Sequence, residues 1–90
     1  MTKLSKVESV VSELQLEIAR PEAERSSHAS TQSLESAITS CKSVIEALRG
    51  NKIDVAVETL DVLVRRVIDE WELTSELAAS VVRCAQDVRG

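Results

Sequence analysis

The chain has 90 residues, of which 43% are hydrophobic, so it is long enough for one domain with a real core. Fifteen acidic residues against eleven basic ones give a net charge of −4 at pH 7, which repels phosphate backbones and argues against nucleic acid as a partner. Trp71 is the only aromatic residue, which argues against a surface that stacks single-stranded bases.

The sequence also argues against membranes and the secretory route. No segment approaches the ~20 apolar residues of a membrane span, and the first residues contain no apolar run of the signal-peptide type. The two cysteines, Cys41 and Cys84, are too few for a disulfide framework and fall on apolar helix faces. We therefore expect a cytoplasmic protein that has no membrane contact and keeps both thiols reduced in its core.

The first apolar series has the alternating spacing of three and four residues that one face of a helix requires. Its members are Leu4, Val7, Val11, Leu14 and Ile18. Pro21 follows, and the residue before a proline avoids the helical conformation. The pattern predicts a first helix over about residues 3–20.

Residues 21–33 contain four serines and no large apolar side chain, so they predict a polar, Ser-rich connector. Pro21, followed by Glu22 and Glu24, indicates a short helical turn at its start. The only histidine, His28, lies here without the further ligands of a metal site or the partners of a catalytic base. We predict a solvated loop histidine, no metal site, no cofactor and no catalytic residue.

A second apolar series predicts a helix over about residues 31–49, with Gly50 as its C′ residue. The series is Leu34, Ile38, Cys41, Ile45 and Leu48, with Ala37 and Val44 beside it. Four serines, at positions 33, 36, 40 and 43, recur at helical spacing next to this face. They predict a solvated face; close contact with another helix is the alternative, since small side chains permit it.

A third helix is predicted over about residues 52–72, with Asn51 and Asp54 at its N-terminal cap. Its stripe comprises Ile53, Ala56, Val57, Leu60, Leu63, Val64, Val67, Ile68 and Trp71. A last apolar face comprises Leu77, Ala78, Val81, Cys84, Ala85 and Val88, which predicts a fourth helix over about residues 74–89. Thr74 or Ser75 is the expected cap.

The chain between Asn51 and Gly90 contains neither glycine nor proline, so one long helix through Thr74 is the alternative to two helices. A helix of that length would leave part of its apolar stripe uncovered, and a homodimer would have to cover it. The fold class is all-α in both cases: a single-domain antiparallel bundle of three or four helices.

Two surfaces are candidate partner-binding sites. Val55 and Val62 lie one heptad apart on the back of the third helix, about 180° from its core stripe. The second candidate is Trp71 surrounded by Asp69, Glu70, Glu72 and Glu76. Trp71 continues the helical periodicity of the core stripe, so it is predicted to be buried. If its side chain is partly exposed instead, this surface suits a basic protein partner.

The leading functional prediction is a small non-enzymatic protein–protein interaction module, acting as an adaptor, a regulatory inhibitor or an assembly factor through its helix faces. The alternative is a nucleic-acid-associated regulator that acts as a dimer, in which Arg65, Arg66 and Arg83 meet phosphate. A small all-α enzyme is third, because the sequence shows no constellation of inward-facing polar groups.

Overall fold

The computed structural model describes residues 2–25, 27, 29–72 and 75–90. The described residues form α1 (Lys3–Ala19), α2 (Thr31–Arg49), α3 (Ile53–Glu70) and α4 (Glu76–Arg89), and a 3-10 turn covers Glu22–Glu24. They run alternately up and down, and α2 packs between α1 and α3 while α4 packs between α3 and α1. The predicted all-α antiparallel bundle is confirmed, with four helices rather than three.

The helix ends follow from local capping. Thr2 Oγ1 accepts the Ser5 N–H at 3.0 Å and starts α1. Ser30 does the same for α2, accepting the Ser33 N–H at 3.1 Å. The helical turn predicted after Pro21 is confirmed, and α1 ends before the proline as expected.

The turn between α2 and α3 differs from the prediction in one respect. Asn51, rather than Gly50, adopts the left-handed conformation, with φ 61°. The Lys52 N–H donates to the Ala47 carbonyl at 2.8 Å and the Asn51 N–H to the Leu48 carbonyl at 3.1 Å, the two bonds of a Schellman motif. Asn51 therefore ends α2, and the predicted Asn51–Asp54 cap of α3 is wrong; Lys52 precedes α3 without a side-chain cap.

The long-helix alternative is wrong. α3 ends at Glu70, the backbone of the next residue, Trp71, is extended at φ −105° and ψ 161°, and α4 begins after Ser75. Ser75 Oγ accepts the Ala78 N–H at 3.2 Å and is the helix cap. Thr74, the other predicted cap, lies outside the described residues. Because α4 folds back on the bundle, the core no longer requires a second chain to cover a long stripe.

The core occupies the middle of the bundle and comes from all four helices. Its buried apolar residues are Val7, Val10, Leu14, Ala29, Leu34, Ala37, Cys41, Val44, Ala47, Ala56, Leu60, Leu63, Val67, Trp71, Leu77, Ala78, Val81, Cys84 and Val88. Two members of the predicted α3 stripe are exposed instead, Ile53 by 36% and Ile68 by 51%. The buried face of α3 is narrower than its apolar composition suggested, because only its two neighbours α2 and α4 cover it.

Candidate functional site

The outward face of α3 carries the two valines predicted to point away from the core. Val55 is 49% exposed and Val62 is 57% exposed, although both belong to a regular helix whose opposite face is buried. One heptad of helix separates them, which is about 10 Å along the axis. We call the surface formed by Val55 and Val62 the valine strip.

Exposed apolar surface is concentrated on this helix. Five large hydrophobic side chains of the described residues are exposed, and the four on α3 are Ile53, Val55, Val62 and Ile68. The fifth, Leu16, lies on α1. Single exposed apolar residues are ordinary on a protein surface. A helix with apolar side chains on its outer as well as its inner face is more typical of a helix that is covered on both sides.

Charged residues flank the valine strip. On a helical wheel, Glu58 and Arg65 lie on one side of it and Arg66 on the other, and all three are exposed. Within the described part of the chain, neither Glu58 nor Arg65 makes an ion pair or a side-chain hydrogen bond. Their charges are therefore available to a partner that covers the valines.

The side of the strip that carries Arg66 continues onto α2. Arg66 and Glu70 line an open polar cleft of about 330 Å³ with residues at the start of α2, among them Ser33 and Ser36. Of the α2 serines at positions 33, 36, 40 and 43, the first three are half-buried and Ser43 is exposed. The serine row is thus neither the fully solvated face that we predicted nor a buried helix contact.

In the second candidate surface, the acidic residues around Trp71, the aromatic side chain is buried. Trp71 is only 6% exposed, and its Nε1–H donates to Ser33 Oγ at 2.7 Å. Ser33 Oγ in turn donates to Glu70 Oε2 at 3.3 Å. The core role predicted for Trp71 is confirmed, so it cannot anchor a partner. Asp69, Glu70, Glu72 and Glu76 are exposed around this end of α3, without an aromatic anchor among them.

A different cleft, of about 430 Å³, runs between α1 and α4. The exposed Leu16 stands at its edge and Leu77 and Ala79 contribute to its wall, but charged side chains such as Glu13 and Arg83 line much of it. Lys6 and Asp87 pair across the same helix boundary at 3.3 Å. The cleft combines one exposed leucine with a mixed-charge rim, so it presents less apolar surface to a partner than α3 does.

A buried polar network was not found from the sequence. Arg25, in the connector, is 5% exposed. Its guanidinium Nε donates to the carbonyls of Glu17 and Arg20, each at 3.2 Å. The other two bonds run from Nη2 to the Ile18 carbonyl at 3.0 Å and from Nη1 to the Ala29 carbonyl at 3.1 Å. Arg25 therefore supplies donors and positive charge to the C-terminal end of α1, whose last turn has no basic residue.

Glu17 and Ser27 complete this network. Glu17 is 4% exposed, and its Oε2 accepts the Ser27 N–H at 3.0 Å and the Ser27 hydroxyl at 2.7 Å. The Ser27 carbonyl accepts the Glu72 N–H at 2.8 Å, which ties the connector to the segment after α3. The only sequence signal was that Glu17 stands at helical spacing from Val10 and Leu14, on the apolar face of α1.

Burial accounts for the chemistry of both cysteines. It raises the pKa of the Cys41 thiol to about 12, with a further contribution from Cys84. Burial likewise raises the pKa of Cys84 to about 11, helped by Asp87 and opposed by Lys6. The thiols are free and almost entirely protonated at neutral pH, which makes them poor nucleophiles. They serve the core, as the sequence predicted.

The described residues do not have the geometry of a metal site or of a clustered phosphate-binding site. Among the described residues, no group of three or more His, Cys, Asp or Glu side chains is placed to hold a metal ion. His28 lies outside the described residues. Arg65 and Arg66 project from α3 and Arg83 from α4, so the three arginines named for phosphate binding form no single cluster on one helix face. No helix in the described part of the chain has both the length and the apolar character that crossing a bilayer requires.

Comparisons with known protein families, with curated proteins and with solved structures find no match to this chain.

Proposed function

We propose that this protein is a non-enzymatic protein–protein interaction module, an adaptor, inhibitor or assembly factor, that binds its partner through the outward face of α3. The observation that supports this most is the concentration of exposed large apolar side chains on α3, with Val55 and Val62 on one outward strip. Covering both valines removes apolar surface from water, at roughly 25 cal/mol for each Å².

The surroundings of the valine strip suit recognition by a protein. An apolar centre with a charged rim is the usual composition of a protein interface. Glu58, Arg65 and Arg66 supply a rim with both signs of charge, which favours a partner of complementary pattern over a uniformly charged polymer. The absence of an aromatic anchor on this face favours modest affinity, since aromatic residues and arginine dominate interface hot spots.

The test is site-specific photocrosslinking in the cell that makes the protein. A photoreactive amino acid at position 62 should form covalent adducts with a defined protein, because that position lies in the middle of the proposed interface. The matched control is position 86, where Gln86 is exposed on the outer face of α4 and away from the valine strip.

The companion variant is Val55→Ser combined with the photoreactive residue at position 62. It should leave the helical circular dichroism unchanged and reduce the adduct several-fold, since one of the two apolar contacts is lost. Adducts of equal yield at positions 62 and 86, or none at position 62, would contradict the proposed role of α3.

A further inference from the structure

We infer that two copies of this chain can exchange their α4 helices, and that α3 and α4 of each copy join into one continuous helix in the resulting dimer. In the single chain, α4 packs on α3 and α1 of its own bundle. In the dimer, α4 packs on the same two helices of the second copy. The valine strip faces outward in both forms, so the exchange is independent of the proposed function.

The buried residues of α3 and α4, with the exception of Ala78, lie on one uninterrupted heptad pattern. They occupy its two core positions, a and d. These residues are Ala56, Leu60, Leu63 and Val67 in α3 and Leu77, Val81, Cys84 and Val88 in α4. A chain that reverses direction does not need this shared register, since each helix can rotate separately to face the core. One straight helix would therefore present the same core residues on a single face.

The segment that joins α3 to α4 is held by contacts rather than by its own residue types. It contains neither glycine nor proline, so its sequence does not impose a helix break. The Glu72 N–H donates to the Ser27 carbonyl at 2.8 Å, and Ser75 Oγ accepts the Ala78 N–H at 3.2 Å. In a continuous helix both N–H groups donate within the helix instead. The exchange therefore gives up the tie to the connector and the cap of α4.

The exchange restores the rest of the packing of α4. Its contacts with α3 and α1 are made again in the dimer, twice, between identical surfaces. The middle of the continuous helix is its weak point, because the polar residues Glu70 and Thr74 fall on a d and an a position there. A short tether gives α4 an effective concentration in the millimolar range for its own bundle. We expect the closed chain after folding at about 10 µM and a substantial share of exchanged dimer after folding at about 1 mM.

Crosslinking between two different chains tests the exchange. Lys6 Nζ and Asp87 Oδ2 lie 3.3 Å apart across the boundary between α1 and α4. In the dimer, Lys6 of one copy meets Asp87 of the other. One chain carries Lys6→Cys with a tag that changes its mass, and the other carries Asp87→Cys. The two are refolded together at about 1 mM and diluted to about 10 µM, and a short bismaleimide should then join them.

Two controls accompany this experiment. The same chains folded separately at about 10 µM and then mixed should give at least about tenfold less of the joined product, because each α4 has closed on its own bundle. The unsubstituted chain controls for the native thiols, which are 0% exposed at Cys41 and 3% exposed at Cys84.

A proline at the first position of α4 separates the exchange from other kinds of association. Ser75 has φ −72° and ψ 147°, a conformation that suits a residue before proline. Glu76→Pro is therefore compatible with the closed chain, since proline is tolerated at the first position of a helix. Inside a continuous helix the same proline removes a hydrogen bond and clashes with the preceding turn, so the joined product should fall at least about tenfold. Glu76→Gln, which removes the same charge, should leave the yield within about twofold.

A pair of leucine substitutions tests the heptad register. Glu70 and Asp69 are adjacent, acidic and exposed. Glu70→Leu fills a core position of the continuous helix and should raise the dimer association constant about tenfold or more in sedimentation equilibrium after joint refolding. Asp69→Leu makes the same change of charge at an outer position and should change it by less than about threefold.

Three outcomes would overturn the inference. The first is the absence of joined product after refolding together at high concentration. The second is an equal yield in the Glu76→Pro background, which would show that the chains associate without a continuous helix. The third is an equal effect of Glu70→Leu and Asp69→Leu, which would show that the heptad register does not govern the association.

Discussion

The connector between α1 and α2 and the outward face of α3 invert the usual relation between composition and burial. The connector is polar, yet Arg25 is 5% exposed and Ser27 is fully buried. The outward face of α3 carries valines that are half-exposed. From hydropathy alone, the connector would be predicted to be exposed and the outward face of α3 to be buried.

The difference shows what burial requires of each kind of residue. A buried polar group must find hydrogen-bond partners, and the connector provides them through the carbonyls at the end of α1 and the Glu17 carboxylate. No buried side-chain nitrogen or oxygen of the described residues lacks a partner. The valines have no such requirement, so their exposure costs this fold little and leaves surface for a partner.

The largest expected effect is in the connector. Arg25→Met should lower the free energy of unfolding by about 3–5 kcal/mol, because it leaves the last carbonyls of α1 without buried donors. Urea denaturation followed by circular dichroism measures it. Arg83→Met, at an exposed position on α4, is the control and should change stability by less than about 0.5 kcal/mol. Equal effects would show that the connector network contributes nothing of its own.

Alanine substitutions on α3 separate its two faces. Leu60→Ala and Leu63→Ala remove side chains that are 1% and 2% exposed, and each should cost about 2–5 kcal/mol. Val55→Ala and Val62→Ala should each cost less than about 1 kcal/mol, because these side chains already contact water. Thermal or urea unfolding of all four variants provides the comparison. Similar losses at all four positions would mean that α3 is covered all round in the isolated chain.

Ser27→Ala probes the charged end of the connector network. It removes the hydroxyl that donates to Glu17 Oε2 at 2.7 Å, and hydrogen bonds to charged groups contribute about 1.5–3 kcal/mol. In the Glu17→Gln background the same substitution should cost less, since the acceptor is then neutral. Additive losses in this double-mutant cycle would show that the two side chains are not coupled.

The smallest effect follows from the cysteines. The raised pKa values of Cys41 and Cys84 favour the protonated thiols in the folded state, so their contribution is intact below the unfolded value of 9.0. It is lost as the pH rises toward about 11 and about 12. Between about pH 8 and pH 9.5 the stability should fall by about 1.5 kcal/mol, roughly half of it from each thiol. A Cys41→Ala, Cys84→Ala double variant should show a shallower fall in urea denaturation; an unchanged slope would assign the pH dependence to other groups.

Helical periodicity predicted the four helices nearly to their ends, and it placed Val55 and Val62 outward. Periodicity did not decide whether the chain turns near Thr74, because the apolar phase of α3 continues into α4. The break depends on tertiary contacts, such as the bond between Trp71 and Ser33 and that between Glu72 and Ser27. These join residues that are far apart in sequence, and no local pattern reports them.

The same limit applies to the network around Arg25. Arg25 donates to backbone carbonyls, which every sequence has, so the residue types of α1 do not predict these hydrogen bonds. The one indication of the network in the sequence was Glu17, a charged residue on the otherwise apolar face of α1. The candidate partner surface was easier to predict, because exposure on a regular helix depends only on angular position around its axis.

The hydrogen bond from the Glu72 N–H to the Ser27 carbonyl joins the connector to the segment after α3. Both segments lie at the same end of the bundle, and separating them breaks this hydrogen bond. Native-state hydrogen exchange at the Glu72 amide should then report on the opening of the connector as well as its own segment. We expect a substitution that loosens either segment to raise the exchange rate at this amide.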